Sequence, residues 1–284
     1  MIEKILRLGK EAAIYGLSSI VGRFVNFLLV PLYTNFLLPS EYGVIATLYS
    51  YIAFAFILYG LGMEPAYMRF VSSMERNDRK ETFTVPFVTL VAGSLILTSA
   101  LHLFSGPLTA LGGFAPENES LLRYAAWILF SDALAIIPFA SLRMEHRAFR
   151  FAGFRILNIL LTVVLNVVFL VAFGMKAEGV LLANLLASAI TFGVLLRDIL
   201  PLLTRKFGKP LFLDLLRFGL PYIPAGLASV AMQVIDRPIL KALTDDATVG
   251  IYQANYRLGI FMMLVVGMFD YAWRPFFLDH AREP

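Results

Sequence analysis

The chain has no cysteine and only three histidines in 284 residues. Without cysteine there is no disulfide framework and no thiolate metal site. The histidines are isolated and lack paired-ligand spacing, and no P-loop, nucleophile elbow or dinucleotide fingerprint occurs in a usable context. The sequence therefore predicts no metal, no cofactor and no enzymatic activity.

Charge is also scarce, because Asp, Glu, Lys and Arg make up only 15% of the residues, against about 25% in soluble domains. Hydrophobic residues make up 59% and the mean hydropathy is +0.75. Apolar runs of roughly 20 residues recur along the chain, and each is long enough to cross a bilayer. The sequence predicts an all-α polytopic membrane protein whose spans lie near 13–38, 42–68, 83–105, 121–142, 152–174, 178–201, 218–242 and 247–273.

The connections between these spans alternate in charge. One set is short or acidic and reads PSE at 39–41, APENES at 115–120 and TDD at 244–246. The other set carries most of the 24 Lys and Arg residues. By the positive-inside rule, the basic connections and both termini are cytoplasmic. The net charge of +4 thus follows from topology, and no nucleic-acid partner is predicted.

An internal repeat relates the two ends of the chain. ILRLG at 5–9 matches LLRFG at 215–219, YGLSS at 15–19 matches AGLAS at 225–229, and EYG at 41–43 matches TVG at 248–250. Span 7 therefore resembles span 1, and span 8 resembles span 2. We expect a six-helix lobe at 1–205, an incomplete second lobe at 206–284 and a pseudo-twofold axis along the membrane normal. Doubling the repeat offset leads us to expect a fragment of a protein of about 420 residues or more.

Several charged residues lie within the predicted spans. A charge at the bilayer centre costs at least ~2.5–3.5 kcal/mol, so such residues face a cavity or partners. The predicted cavity residues share polar stripes on spans 1, 7 and 8, and they are Arg23, Asn26, Gln233, Asp236, Arg237, Tyr256 and Arg257. Arginine suits an anionic ligand because its fork binds phosphate bidentately. The alternative is internal ion pairing, such as Arg23 with Asp132 or Asp236 with an arginine of another helix.

Three carboxylates have open roles. Asp132 lies in the middle of span 4 and is either a proton or sodium coupling site or the counter-ion of an arginine. Glu64 and Asp270 lie near the cytoplasmic ends of spans 2 and 8, where they form gating pairs with Arg69 or Arg274 or remain solvated. The sequence also predicts interhelical hydrogen bonds from polar stripes on spans 5 and 6. Asp245 and Asp246 are expected to cap span 8 rather than to bind a metal.

Two long segments resemble the bacterial polysaccharide transporter (oligosaccharide flippase) family. The first is PLYTNFLLPSEYGVIATLYSYIAFAFILYGLGMEPAYMRFV at 31–71, with its E-Y-G turn and basic R-F-V end. The second is VIDRPILKALTDDATVGIYQANYRLGIFMMLVVGMFDYAWRPFF at 234–277, with D-R, V-G-I-Y and A-W-x-P-F-F elements. The resemblance covers the first eight of the family's twelve to fourteen helices. The family belongs to a superfamily that also contains lipid II flippases and multidrug exporters.

The resemblance implies a transporter of the bacterial cytoplasmic membrane with two lobes and alternating access. Its substrate would be a polyprenyl-diphosphate-linked oligosaccharide, with the diphosphate contacts on Arg23, Arg257 and Arg237. The implied partners are the lipid bilayer, a polysaccharide polymerase and glycosyltransferases. The alternatives are a cation-coupled multidrug exporter, an integral-membrane glycosyltransferase or phosphatase, and a non-transporting scaffold.

Overall fold

The computed structural model describes residues 14, 16, 20–22, 24–25, 27–73, 79–259 and 262. These residues form helices and connecting turns, with no strand among them. We label the helices in chain order: α1 (residues 27–36), α2 (Pro39–Gly60), α3 (Met63–Ser73), α4 (Arg79–Leu103), α5 (Ser105–Leu111), α6 (Glu119–Met144), α7 (Ala148–Val167), α8 (Ala177–Ile199), α9 (Lys209–Gly219), α10 (Tyr222–Val234), α11 (Asp236–Leu243) and α12 (Asp246–Leu258).

Within the described part of the chain, six helical stretches are long and apolar enough to cross a membrane. They are Pro39–Ser72, Arg79–Leu103, Pro116–Met144, Ala148–Ala172, Ala177–Leu202 and Lys209–Val234. The prediction of an all-α, multi-pass membrane protein is confirmed. Predicted spans 1 and 8 extend in part beyond the described residues.

The predicted span at 218–242 differs from the structure. The helical stretch begins earlier, at Lys209, and consists of the three pieces α9, α10 and α11. Pro221 has no backbone N–H to continue the hydrogen-bond ladder, and the first break falls at this proline. The second break falls at Ile235, just before Asp236 begins α11.

Helix α6 is the centre of the bundle and packs against α2, α4 and α8, while α7 packs against α8. Two hydrophobic clusters stabilise the bundle. The first includes Leu29, Ile52, Ile128 and Leu129, and the second includes Met63, Phe83, Phe139 and Leu195. We call the end of the bundle with the basic connections the basic end and the opposite end the acidic end.

Helices α2 and α12 cross at two glycines near the acidic end. A Cβ on Gly43 would overlap the carbonyl oxygen of Asp246, and a Cβ on Gly250 would overlap the carbonyl oxygen of Pro39. The contact is therefore reciprocal. The alignment of EYG with TVG makes Gly43 equivalent to Gly250 and Pro39 equivalent to Asp246, so each glycine meets the residue equivalent to the one that its counterpart meets. A twofold axis between α2 and α12 would produce such a contact. The division into lobes at 1–205 and 206–284 stays a prediction.

Short polar contacts fix the acidic end. The Asp245 carboxylate accepts a hydrogen bond of 2.7 Å from the Thr248 backbone N–H, which confirms the predicted cap of α12. This hydrogen bond holds the pKa of Asp245 below its ordinary value. Lys176 forms an ion pair of 2.7 Å with Glu41, and the hydrogen bond to Glu41 raises the pKa of Lys176. Both contacts tie a connection to a helix start.

Candidate functional site

A polar cavity of about 490 Å³ lies among α2, α3, α6, α7 and α8. Residues of both hydrophobic clusters line its wall, namely Ile52 and Ile128 of the first and Phe139 of the second. Its volume falls within the ~300–1,000 Å³ of small-molecule sites. Its charged lining residues are Glu64, Asp132, Arg143 and Arg155. A polar cavity inside an apolar bundle is where a membrane protein can hold a polar ligand.

Asp132 places its carboxylate in this cavity from the middle of α6. Ser188 of α8 and Arg155 of α7 line the same cavity as Asp132. The sequence left two roles open for Asp132, and the structure places both an arginine and the cavity beside it.

Arg155 reaches the cavity from the first turns of α7. Its guanidinium carbon lies 4.6 Å from the ring centroid of Phe139 and 5.6 Å from that of Phe151. These distances are those of cation–π contacts, which hold the flat guanidinium against the rings. Among the described residues, Arg155 forms no ion pair, and its N–H donors are available to a ligand in the cavity.

Arg143 and Glu64 form an ion pair at the basic end of the cavity, joining α6 to α3. The sequence suggested Arg69 or Arg274 as a partner for Glu64 and did not suggest Arg143. The Nε of Arg143 is buried and has no hydrogen-bond partner in the described part of the chain. An unsatisfied buried donor costs about 1–3 kcal/mol, so a ligand oxygen that accepts from this Nε would be favoured.

Neutral hydrogen-bonding groups line the rest of the cavity. Asn184 donates to the Tyr49 hydroxyl at 2.7 Å, and Asn158 donates to the Thr191 hydroxyl at 3.2 Å. These bonds join α8 to α2 and α7 to α8, so the predicted interhelical hydrogen bonds are present. The same groups also face the cavity, a role that the sequence analysis did not assign.

Four of the predicted cavity residues meet elsewhere, between α10, α11 and α12. Arg237 is only 5% exposed. It donates to the Gln253 side chain at 3.0 Å, to the Gln233 carbonyl at 2.5 Å and to Asp236 at 2.9 Å. Its guanidinium carbon lies 4.2 Å from the ring centroid of Tyr256. Arg237 thus pairs with its neighbour on the same helix, Asp236, rather than Asp236 with an arginine of another helix as the sequence alternative had it.

Arg257 also contacts an aromatic ring, since its guanidinium carbon lies 5.9 Å from the ring centroid of Tyr33. The described lining of the cavity includes Tyr49 and does not include Arg257. Three other predicted site residues, Arg23, Asn26 and Asp270, lie outside the described residues.

The sequence analysis missed Arg155 and Arg143 as cavity residues. Arg155 lies only three residues inside the predicted span 152–174, and its charge was counted with the basic connection before that span. Helix α7 begins at Ala148, which places Arg155 about 10 Å inside the helix at 1.5 Å per residue. The spacing of Arg155, Asn158 and Thr162 was a visible signal, because residues three to four apart share one helix face.

Apolar helices long enough to cross a membrane, packed around this cavity, define a multi-pass membrane protein. The chain belongs to the family described as polysaccharide biosynthesis protein, whose match covers residues 8–279.

One curated relative is the succinoglycan biosynthesis transport protein ExoT of Rhizobium meliloti (strain 1021). It is 28% identical over 116 residues, which cover 40% of this chain and 22% of ExoT. The aligned part is thus about a fifth of that relative.

Solved transporters of the MOP superfamily share the fold. An inward-facing multidrug resistance MATE family transporter matches with a TM-score of 0.64 and 18% identity over 92% of this chain and 62% of that one. A MOP superfamily transporter from Pyrococcus furiosus, described as having a binding pocket of reverse polarity, matches with a TM-score of 0.61 and 18% identity. That match covers 95% of this chain and 72% of the other.

Proposed function

We propose that the protein moves a polyprenyl-diphosphate-linked oligosaccharide across the bacterial cytoplasmic membrane for surface polysaccharide synthesis. The observation that carries this proposal is the mixed lining of the cavity, where two arginines stand beside neutral amides and hydroxyls. Arginine donors fit the oxygens of a diphosphate. Amide and hydroxyl groups fit the hydroxyls of a sugar, because they can both donate and accept hydrogen bonds.

The lining supports one orientation of the headgroup. Arg143 and Arg155 lie toward the basic end, whereas Asn184 and Tyr49 lie deeper. On α6, Asp132 and Arg143 are separated by about 16 Å at 1.5 Å per residue. The diphosphate would therefore stay near the basic end with its prenyl tail in lipid, and the sugar would enter first. Tyr49 borders the sugar side.

The sequence-predicted residues take four kinds of role in this proposal. Arg23, Asn26, Tyr256 and Arg257 contact the headgroup during passage between the lobes. The cluster of Gln233, Asp236 and Arg237 positions α11 against α12. Asp132 is the candidate for ion coupling, and Glu64 and Asp270 are candidates for the cytoplasmic gate.

The basic end faces the cytoplasm in this proposal, with both termini on that side. Outward movement of an anionic headgroup is favoured by a membrane potential that is negative inside, by about 2.3 kcal/mol per charge for each 100 mV. The partners are the lipid-linked oligosaccharide itself, a polysaccharide polymerase and the glycosyltransferases that assemble the saccharide.

Deletion of the gene tests this function. Polyprenyl-linked saccharides should accumulate in the cytoplasmic leaflet of the deletion strain, and the wild-type gene should remove them. A gene carrying Arg155→Gln should fail, while Arg205→Gln, an exposed arginine outside the cavity, should succeed. A deletion strain without cytoplasmic-leaflet accumulation would contradict the proposed function.

A multidrug exporter for cations is the second candidate, and one observation favours it. The same cavity contains Asp132, Glu64 and the aromatic side chains Tyr49, Phe56, Phe139 and Phe151. Acidic and aromatic groups suit an organic cation. Binding of a tetraphenylphosphonium probe to the purified protein, in competition with a prenyl diphosphate, separates the two candidates. Tight binding of the cation and none of the diphosphate would favour the exporter.

A further inference from the structure

We propose that the cavity binds a proton together with its anionic ligand, because Arg155 is shared between Asp132 and that ligand. The inference rests on the proposed function, in which the ligand is an anionic headgroup. It states that proton binding and anion binding strengthen each other. The proton is carried by the Asp132 carboxylate. Arg155 is a positioning residue for this proton and a ligand-binding residue for the anion.

The contacts of the two cavity arginines differ. Arg143 is held by Glu64 in an ion pair. Arg155 forms no ion pair with any described residue, and its guanidinium rests on the rings of Phe139 and Phe151. It lines the same cavity as Asp132, Glu64 and Arg143. Because Glu64 is already paired with Arg143, Asp132 is the carboxylate that depends on Arg155.

The groups around Asp132 are few. Helix α8 contributes the neutral side chains Ser188 and Asn184, and α2 contributes Tyr49. Helix α7 contributes Arg155, while α4 contributes no residue to the described lining of the cavity. The electrostatic environment of Asp132 therefore depends mainly on Arg155, and on whether Arg155 also binds an anion.

An anion that binds Arg155 changes this balance in two ways. The guanidinium directs its donors to the phosphate oxygens, so it stabilises the Asp132 carboxylate less. The phosphate also adds negative charge to the cavity that contains Asp132, and two anions in one cavity repel each other. Both effects favour protonation of Asp132 when the anion is bound.

Binding couplings are reciprocal, so protonation of Asp132 must strengthen anion binding by the same factor. The proton and the anion therefore occupy the cavity in the same conformation. A transporter with coupling of this sign moves the proton and the anion across the membrane in the same direction. Exchange of an outgoing anion for an incoming proton at Asp132 would need the opposite sign, namely competition between them.

Titration of the purified full chain with farnesyl diphosphate tests the inference, with farnesol as the control that lacks the diphosphate. Calorimetry in buffers of different ionisation enthalpy gives the number of protons taken up on binding. Farnesyl diphosphate itself titrates, so the informative quantity is the difference between the wild type and Asp132→Asn.

We expect the wild type to take up more protons per ligand than Asp132→Asn near neutral pH. We expect its affinity to strengthen between pH 8 and pH 6 by about 5-fold or more beyond the change in Asp132→Asn, the lower range of typical couplings. Arg155→Gln should weaken binding by about 10- to 100-fold, the range for hydrogen bonds to a charged group. Arg155→Lys should restore part of the affinity and keep the proton uptake.

Arg205→Gln and Asp214→Asn are the matched controls, since both residues are exposed and lie outside the cavity. Both should bind and take up protons like the wild type, and thermal melting checks that every variant is folded. Tight binding with equal proton uptake in the wild type and Asp132→Asn would overturn the coupling and leave the proposed function intact. Tighter binding at high pH in the wild type alone would overturn its sign. A folded wild type that binds no farnesyl diphosphate would overturn both proposals.

Discussion

At the scale of single residues, the arginines of this membrane protein have different surroundings. Arg237 is buried and donates to Gln253, to the Gln233 carbonyl and to Asp236. Arg155 is held by aromatic rings and keeps its donors for the cavity. A satisfied arginine stabilises the fold, whereas an arginine with available donors can bind a ligand.

The two arginines should therefore respond differently to the same substitution. Arg237→Gln removes the partner of Asp236 and Gln253, and we expect a loss of about 1–3 kcal/mol of stability, the cost of leaving buried polar groups unsatisfied. Arg155→Gln should leave the melting temperature close to the wild-type value. Thermal unfolding in detergent, with Arg205→Gln as the control, measures both. A large loss for Arg155→Gln and none for Arg237→Gln would reverse the assignment.

The sequence could not separate these roles. Arg237 and Arg257 both lay within predicted spans, and a guanidinium in a span faces either partners or a ligand. Arg237 has protein partners because it donates a hydrogen bond to Gln253, while the Tyr252 hydroxyl donates to Asp236. These side chains meet only because α11 folds back against α12. Arg155 was missed because it lies close to the start of the predicted span 152–174, where a charge is expected at the membrane surface, whereas α7 begins four residues earlier, at Ala148.

At the scale of helices, the closest approach between α2 and α12 depends on the lack of side chains at Gly43 and Gly250. A methyl group at either position would overlap a backbone carbonyl of the other helix. Backbone cannot rotate away as a side chain can, so the two helices would have to separate.

Gly43→Ala and Gly250→Ala should each lower stability by about 1–3 kcal/mol or more, as overpacking does. Gly153→Ala and Gly193→Ala are matched controls, because no atom lies within 4 Å of a Cβ built at either position. The controls should be neutral or stabilising by about 0.5–1 kcal/mol, since Ala favours the helix over Gly. Melting temperatures of the four variants check the difference, and equal effects would contradict the close crossing.

The cap of α12 has a predictable pH dependence. Its hydrogen bond from Thr248 lowers the pKa of Asp245 in the folded state. The stability it adds is therefore present above the ordinary pKa of an aspartate and is lost as the pH falls through the lowered value. Asp245→Ala should remove this contribution at neutral pH, while Asp245→Asn should keep the cap and lose its pH dependence. Melting of the three proteins from neutral to acidic pH tests this.

Helix identity was predictable from the sequence because apolar runs of membrane length have few alternative structures. The spans at 83–105, 121–142 and 178–201 agree with α4, α6 and α8 within a few residues. The division of the predicted span 7 into α9, α10 and α11 was less predictable. A proline breaks a helix only where the neighbouring helices allow the chain to turn. That packing cannot be predicted from the sequence of one segment.

At the scale of the whole molecule, charge alternates between the two ends of the bundle. The absence of native cysteine makes the orientation directly measurable by single-cysteine labelling. A cysteine at Glu117, in the acidic connection, should react with a membrane-impermeant maleimide in intact cells. A cysteine at Arg205, in a basic connection, should react only after permeabilisation. The opposite pattern would contradict a cytoplasmic basic end.

The position of the cavity could not be read from the sequence. Its lining comes from five helices that are far apart in the chain, and their polar residues were visible only as separate stripes. Packing of α6 at the centre of the bundle brings Asp132, Arg155 and Asn184 to one space. Sequence patterns show which face of a helix is polar, and the assembled bundle decides which polar faces meet.

The central claim is that this protein carries a diphosphate-linked saccharide through the cavity that contains Arg155. The direct measurement is translocation in proteoliposomes of a prenyl-diphosphate-linked saccharide whose fluorescent sugar is quenched by an impermeant reductant. The wild type and Arg205→Gln should make the inner-leaflet saccharide accessible to the reductant, while Arg155→Gln should do so far more slowly. Translocation by Arg155→Gln at the wild-type rate, or by the wild type no faster than by protein-free liposomes, would contradict the account.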